Sequence, residues 1–202
     1  MKKHLLVATR NKGKVDELAS LIGDLVIEWL SLDDLEIDLR VDESGDTFRE
    51  NAIIKALAYS KESGMLTLAD DSGLEVDALN GRPGIRTARY GGDSLSPRQR
   101  YELLLRELRD VPGERRSARF RCVVALARPD GLAGIASGTC EGLIAKEPEG
   151  IGGFGYDPVF YLPDQGMTMA QLSAADKHRI SHRGKAIAGI AQLLREEIKK
   201  AK

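Results

Sequence analysis

Residues 4–9 read HLLVAT, an apolar run with the length and composition of a short buried strand. The polar loop RNKGK follows at once, and then VDELASLI, whose apolar residues fall at helical spacing. A strand, a short polar loop and an amphipathic helix in direct succession form the repeating unit of α/β proteins, so this opening already argues against all-helical and all-strand architectures.

The alternation continues along the chain. A second strand is expected near VIEWLSL (26–32), followed by an acidic, irregular stretch through Asp46. Thr47 is placed to cap a helix in which Phe48, Ile53, Ile54, Leu57 and Ala58 recur about every third or fourth residue, and Gly64 ends it. MLTLAD is strand-like, and GLEVDAL alternates as a half-exposed strand does. NGRPGIRTARYGG is dense in turn residues, after which Ser96 and Pro97 open the helix RQRYELLLRELRD as cap and first position. RFRCVVALA and LAGIASGTCEGLIA read as longer strands joined by the hairpin signal RPDG. Residues 146–167 are loop-rich, and KAIAGIAQLLREEI sets apolar side chains at 187, 190, 194 and 198, a closing amphipathic helix. The expected class is α/β with a mixed sheet. With no internal repeat or long linker, residues 1–202 are expected to form one domain or two closely joined lobes.

A formal net charge of -1 leaves no basic excess for polymeric nucleic acid, so any anion is met locally. Cys122 and Cys140 sit in apolar or small-residue runs without metal-ligand or disulfide spacing and read as buried thiols. No run reaches the roughly 18 apolar residues of a membrane span, and the N-terminal apolar stretch is too short for a signal-peptide core. A soluble cytoplasmic protein is expected.

Five stretches carry candidate chemistry. TRNKGK offers hydroxyl, amide and lysine donors, backbone N–H groups and a helix N-terminus to an oxyanion, although it lacks Walker spacing and a solvated loop is the plain alternative. In TFRENAIIKA, Thr47 and Glu50 have capping-box spacing, so Glu50 serves either the helix cap or a ligand; Lys55 lies five residues on and is not its i, i+4 partner. LADDSGLEVDAL sets two adjacent carboxylates at the end of a buried strand, either as solvated turn residues or as a pair needing a cation such as Mg2+. GGFGYDP joins glycine freedom to Phe154, Tyr156 and Asp157, fit to stack a flat ring or simply to anchor a turn. Lys177 and SHRGKA bring cations to a helix start capped by Ser181. His182 and Arg183 there oppose the helix macrodipole by some tenths of a kcal/mol, which suggests that something else requires them.

In this order and spacing, TRNKGK, FRENAIIKA, LADDSGLEVDALNGRPGIRTARYGG, GFGYDPVF and SHRGKA resemble the inosine/xanthosine triphosphate pyrophosphatase family. The resemblance runs from about Thr9 to Ala186. It implies an elongated mixed β-sheet with two α/β lobes flanking a nucleotide-binding cleft, and a homodimer. It also implies Mg2+-assisted water attack that splits ITP, dITP or XTP between the α- and β-phosphates, cleansing the nucleotide pool. By position, Thr9, Arg10, Asn11, Lys12, Gly13 and Lys14 match the triphosphate loop, and Lys55 adds a second, catalytic cation. Glu50 and Asp71 match metal positions, Asp71 also the general base with Asp70 assisting, and Ser72 a substrate contact. Phe154, Gly155, Tyr156 and Asp157 match the base-binding loop, and Lys177, His182 and Arg183 the readers of the base edge. Donors there would pair with a 6-oxo group and meet the 6-amino group of adenine donor to donor, a mismatch that can yield ~10^4-fold discrimination. Arg86 and Thr87 depart from the family, whose members often carry an aromatic residue and a serine at these positions. Two other readings are a house-cleaning pyrophosphatase for modified pyrimidine or methylated nucleotides and a nucleotide-sensing module that binds without cleaving.

Overall fold

The computed structural model of the protein describes residues 3–23, 25 and 27–200. Val26, the first residue of the expected second strand, lies outside the described residues, as do the two residues at each end of the expected domain. Among the described residues the strands are β1 (Lys3–Val7), β2 (Ile27–Leu30), β3 (Thr67–Val76), β4 (Ser117–Arg128), β5 (Gly131–Ile144), β6 (Phe160–Leu162) and β7 (Met167–Thr168). The helices are α1 (Lys12–Ile22), α2 (Phe48–Ser63), α3 (Pro97–Glu107), α4 (Ala174–Ile180) and α5 (His182–Lys200). The strands make one sheet in the order β2-β1-β3-β4-β5-β6-β7. β1 runs parallel to β2 and β3, while β6 runs antiparallel to β5 and β7, so the sheet is mixed as expected. Only Pro129 and Asp130 separate β4 from β5, a connection short enough for a hairpin alone.

The chain forms two compact units. One comprises Met1–Asp71, Cys122–Gly138 and Arg183–Lys202; the other comprises Ser72–Arg121 and Thr139–His182. In the first, Leu5, Val7, Leu68, Val124 and Leu126 of the sheet bury against Val15, Leu18 and Ile22 of α1. Ile187, Ile190, Leu194 and Ile198 of α5 join the same cluster, and these are the four positions expected from periodicity. Side chains alternate across a strand, so Ala69, Ala125 and Ala127 form a separate cluster, where they meet Ala52 and Ala56 of α2. Methyl groups on both partners let helix and sheet approach closely. In the second unit, Leu74, Val76, Phe120, Tyr156, Phe160 and Met169 form the core with Leu104 and Leu108.

The caps follow the sequence. Thr47 and Glu50 make a capping box on α2, Gly64 closes that helix in the left-handed conformation, and Ser96 with Pro97 and Gln99 opens α3. The expected break between MLTLAD and GLEVDAL is absent, because Asp70 to Gly73 lie inside one ten-residue strand, β3. α4 was not expected: its seven residues, capped by Ser173, are too few to show a helical period. Both cysteines are buried and free, and burial pushes the Cys122 thiol up to about 12, which leaves it inert. No described helix is long and apolar enough to cross a membrane.

Candidate active site

In the first unit the strand pleat sorts the two aspartates. Asp70 follows the parity of Leu68, toward α1 and α5, while Asp71 follows that of Ala69, toward α2. The expected carboxylate pair is therefore two separate sites. Lys14 Nζ donates to both Asp70 oxygens at 3.1 and 3.2 Å, and Arg183 Nη2 donates to Oδ2 at 3.3 Å. Burial alone would raise the Asp70 pKa, but Lys14, Arg183 and Lys55 outweigh it and hold the carboxyl far below the usual range.

Asp71 has the opposite character. Its Oδ1 accepts from Lys55 Nζ at 3.3 Å, while Oδ2 is buried with no hydrogen-bond partner. Burial raises its pKa, aided by the nearby Glu43 charge, and Lys55 and the Asn51 amide only partly offset this. Lys55 also donates to Glu43 Oε1 at 2.9 Å. Burial pulls the ammonium down, yet Asp71, Asp70 and Glu43 prevail and raise its pKa, so Lys55 stays charged.

Several of the expected site residues are engaged within the fold. Glu50 Oε2 accepts from the N–H groups of Asp46 and Thr47 at 2.8 and 3.1 Å, so this carboxylate serves the cap; Glu43, unmarked by any periodicity, is the one beside Lys55. Arg10 spans Asp33 at 2.7 Å and the Ile37 carbonyl at 2.6 Å, a clamp on the chain after β2. Thr9 Oγ1 accepts from Asn11 N and Asn11 Oδ1 from Gly13 N, while Lys14 N donates to Asn11 O. The backbone donors of Asn11, Gly13 and Lys14 are thus used within the loop, whose outward groups are the side chains of Lys12 and Lys14. Arg183 is only 2% exposed, and its guanidinium joins Asp70 to Glu17, whose Oε2 lies 3.1 Å from Nη1. It is paired with the carboxylates of this unit, and that pairing accounts for a cation at a helix start. Glu17 also escaped the sequence reading, although it stands three residues after Lys14 on the same face of α1.

In the second unit the GGFGYDP loop is a built platform. Gly152 N donates to Ala170 O at 3.0 Å and Thr168 Oγ1 donates to Glu149 O at 2.7 Å, fixing the loop from below. Gly153 has φ 73°, and a Cβ there would run into the Asp157 carboxylate. That carboxylate is buried; its Oδ2 accepts from Phe154 N at 2.7 Å and from Lys177 Nζ at 2.6 Å. The Phe154 ring is 53% exposed, with Lys177 Nζ 4.5 Å from its centroid. Gly155, at φ 62°, makes the turn that presents it. Phe154 is therefore not a core anchor. Tyr156 is corrected in the other direction: its ring is buried and its hydroxyl donates to Thr87 O at 3.1 Å. His182, also buried, stacks on Phe120 with centroids 4.8 Å apart and planes 16° apart. Ser72 lies on β3 immediately after Asp71.

No group of three or more His, Cys, Asp or Glu among the described residues is arranged to hold a metal by itself. A magnesium ion does not need one, since it keeps several waters and takes one or two carboxylates plus substrate phosphates. The buried, partnerless Asp71 Oδ2 and the adjacent Glu43 suit that demand better than the capping Glu50 does.

The Ham1 family description matches residues 5–193. The chain is 49% identical to the dITP/XTP pyrophosphatase of Geobacillus kaustophilus over 185 residues, covering 92% of this chain and 91% of that one. Among solved structures it is similar to the Staphylococcus aureus Ham1 protein, with 41% identity, a TM-score of 0.86 and coverage of 96% and 100%. A HAM1 protein from Coxiella burnetii gives 39% identity, a TM-score of 0.87 and coverage of 96% and 99%. With a family match over residues 5–193 and relatives nearly half identical over most of both chains, the chain belongs to the Ham1 family.

Proposed function

We infer that this protein hydrolyses non-standard purine nucleoside triphosphates, dITP, ITP and XTP, to the monophosphate and pyrophosphate. The activity named for its dITP/XTP pyrophosphatase relatives fits the side chains on both units. The observation that carries the chemistry is Asp71, a carboxylate with one oxygen held by a charged lysine and the other buried without a donor. An upward-shifted carboxylate can take a proton from an attacking water near neutral pH more readily than an ordinary aspartate can.

Lys55, kept protonated by its carboxylates, holds Asp71 in place and offers positive charge to the reacting phosphate. Lys14, at the start of α1 and 28% exposed, extends the cationic surface toward the phosphates. In this unit Lys14, Lys55 and Arg183 face four carboxylates, those of Glu17, Glu43, Asp70 and Asp71. Such a set does not attract a highly anionic triphosphate unaided, which supports a divalent ion. Glu43 and Asp71 would hold Mg2+. When bound, the ion supplies charge neutralisation for the departing pyrophosphate.

On the other unit the open Phe154 face stacks the base. Lys177 and His182 stand by as donors for a 6-oxo group, with Asp157 orienting both Phe154 and Lys177. Discrimination against adenine rests on those donors. The formal charge of -1 favours free nucleotides over polymeric nucleic acid, and a cytoplasmic homodimer completes the reading.

Pyrophosphate release from dITP, XTP, dATP and dGTP, with Mg2+ and with EDTA, tests it. Mg2+-dependent release confined largely to dITP and XTP is expected. Equal turnover of all four would sink the base-reading roles, and undiminished release in EDTA would sink the metal.

A further inference from the structure

β1 pairs with β3 only at Thr67 and Leu68, so the second half of β3 continues past the end of that neighbour. A strand edge leaves N–H groups without ladder partners, and they must be satisfied in some other way. Here the loop after β3 takes over: Pro83 forms an isolated antiparallel bridge with Glu75, and Thr87 reaches the strand with its side chain. Thr87 Oγ1 accepts from Leu74 N at 2.8 Å and donates to Gly84 O at 2.6 Å, a complete use of one hydroxyl. Its own backbone carbonyl accepts from the buried Tyr156 hydroxyl at 3.1 Å.

These bonds meet at one residue and lead to two different places. Leu74 is two residues beyond Ser72 on the strand that carries Asp71. Tyr156 is the residue between Gly155 and Asp157 in the platform that presents Phe154. Burial raises the Tyr156 pKa, so its hydroxyl stays a proton donor across any working pH. We propose that Thr87 is a positioning residue that fixes the Phe154 platform relative to the Ser72 segment of β3. This rests on the base-stacking role given to Phe154 above. Thr87 touches no substrate itself; it acts through Tyr156 on one side and the β3 backbone on the other.

The test is steady-state pyrophosphate release from dITP, with thermal melting alongside, for Thr87→Val, Thr87→Ser, Tyr156→Phe and Phe154→Ala. Valine keeps the shape of threonine but strands Leu74 N–H and Gly84 C=O. Phenylalanine at 156 removes one donor from the other arm. Each is expected to raise KM for dITP roughly tenfold, as one lost buried hydrogen bond does, with kcat within about twofold. Thr87→Ser, which keeps the hydroxyl, restores the wild-type KM. A purely architectural Thr87 would lower the melting temperature and leave KM unmoved, and that result overturns the proposal. Should Thr87→Val fail to fold, Tyr156→Phe decides: a wild-type KM overturns it. Phe154→Ala separates the two levels. If KM rises there but not in Tyr156→Phe, only the link is wrong; if Phe154→Ala also leaves KM unchanged, the stacking role and the proposal fall together.

Discussion

Asp71→Asn separates catalysis from stability more sharply than any other single change in this protein. The substitution keeps the shape and removes the charge. Lys55 loses one charge-assisted partner at 3.3 Å but retains Glu43 at 2.9 Å, so no buried cation is abandoned. In exchange, the buried negative charge disappears, and the repulsion from Glu43 goes with it. Active-site changes that relieve such a strained group typically stabilise by about 0.5–2 kcal/mol. For a chain of this size that corresponds to a rise of roughly 1–8 °C in melting temperature. The pH dependence has a fixed sign. The folded-state pKa of Asp71 is raised, so its penalty on the wild type is absent below the unfolded value near ~3.9 and grows as pH rises through the folded value. The advantage of the asparagine variant must therefore widen between acid and neutral pH. Loss of a general base costs about 10^2–10^4 in kcat. Paired melting curves at pH 4 and pH 7 and a pyrophosphate-release assay read both quantities. Turnover within a few fold of wild type would refute the base assignment, and a fall in melting temperature at pH 7 would refute the electrostatic account.

Asp70→Asn is expected to behave oppositely. It leaves Arg183 and Lys14 without their shared anion, costing about 3–5 kcal/mol at neutral pH. Because the folded pKa of Asp70 is depressed, the stability it confers is present above the unfolded value and fades as pH falls through the folded one, so the two proteins should converge in acid melts. Arg10→Ala should change KM for dITP less than threefold, whereas Lys14→Ala should raise it by tenfold or more, an order consistent with losing a charged phosphate contact; equal effects would return Arg10 to the phosphate site. Gly153→Ala forces a side chain into the left-handed region and into Asp157, and should raise KM while leaving single-turnover chemistry at saturating dITP intact; an unchanged KM would show that the platform tolerates distortion.

Periodicity located α1 and α5 with their buried faces, because burial on one side of a helix leaves a repeat that few other constraints disturb; it placed α2 but not its buried face, which is made by Phe48, Asn51, Ala52, Ala56, Tyr59 and Ser60 while Leu57 is exposed. The same reasoning divided β3 in two at Asp70–Gly73, since acidic and small residues there imitate a turn. Their reason for lying in a strand is tertiary: Lys14 and Arg183 reach Asp70 from helices far away in sequence, and Lys55 reaches Asp71 from the helix before the strand. The capping-box spacing of Thr47 and Glu50 gave two readings, and the backbone won. Glu43 carried no pattern at all, for it acts from an irregular stretch on a lysine twelve residues later. Phe154 and Lys177 were identifiable as a pair of chemistries but not as neighbours, because their meeting depends on Asp157 beneath them and on α4, too short to announce itself.

The division of Asp70 and Asp71 between the two faces of β3 has a consequence for how this sequence can change. Adjacent residues on a strand exchange environments whenever the chain slips by one position. An insertion or deletion in the turn before β3 would carry the reactive carboxylate into the Lys14–Arg183 cluster and deliver its neighbour, or a serine, to Lys55. Neither the fold nor the chemistry could be recovered by one compensating substitution, since each aspartate is matched to a different set of cations. Length variation in the connection from α2 to β3 should therefore be tolerated only where it leaves the β3 register untouched, and a library of single-residue insertions across residues 64–67, sorted for pyrophosphate release, would chart where that tolerance ends.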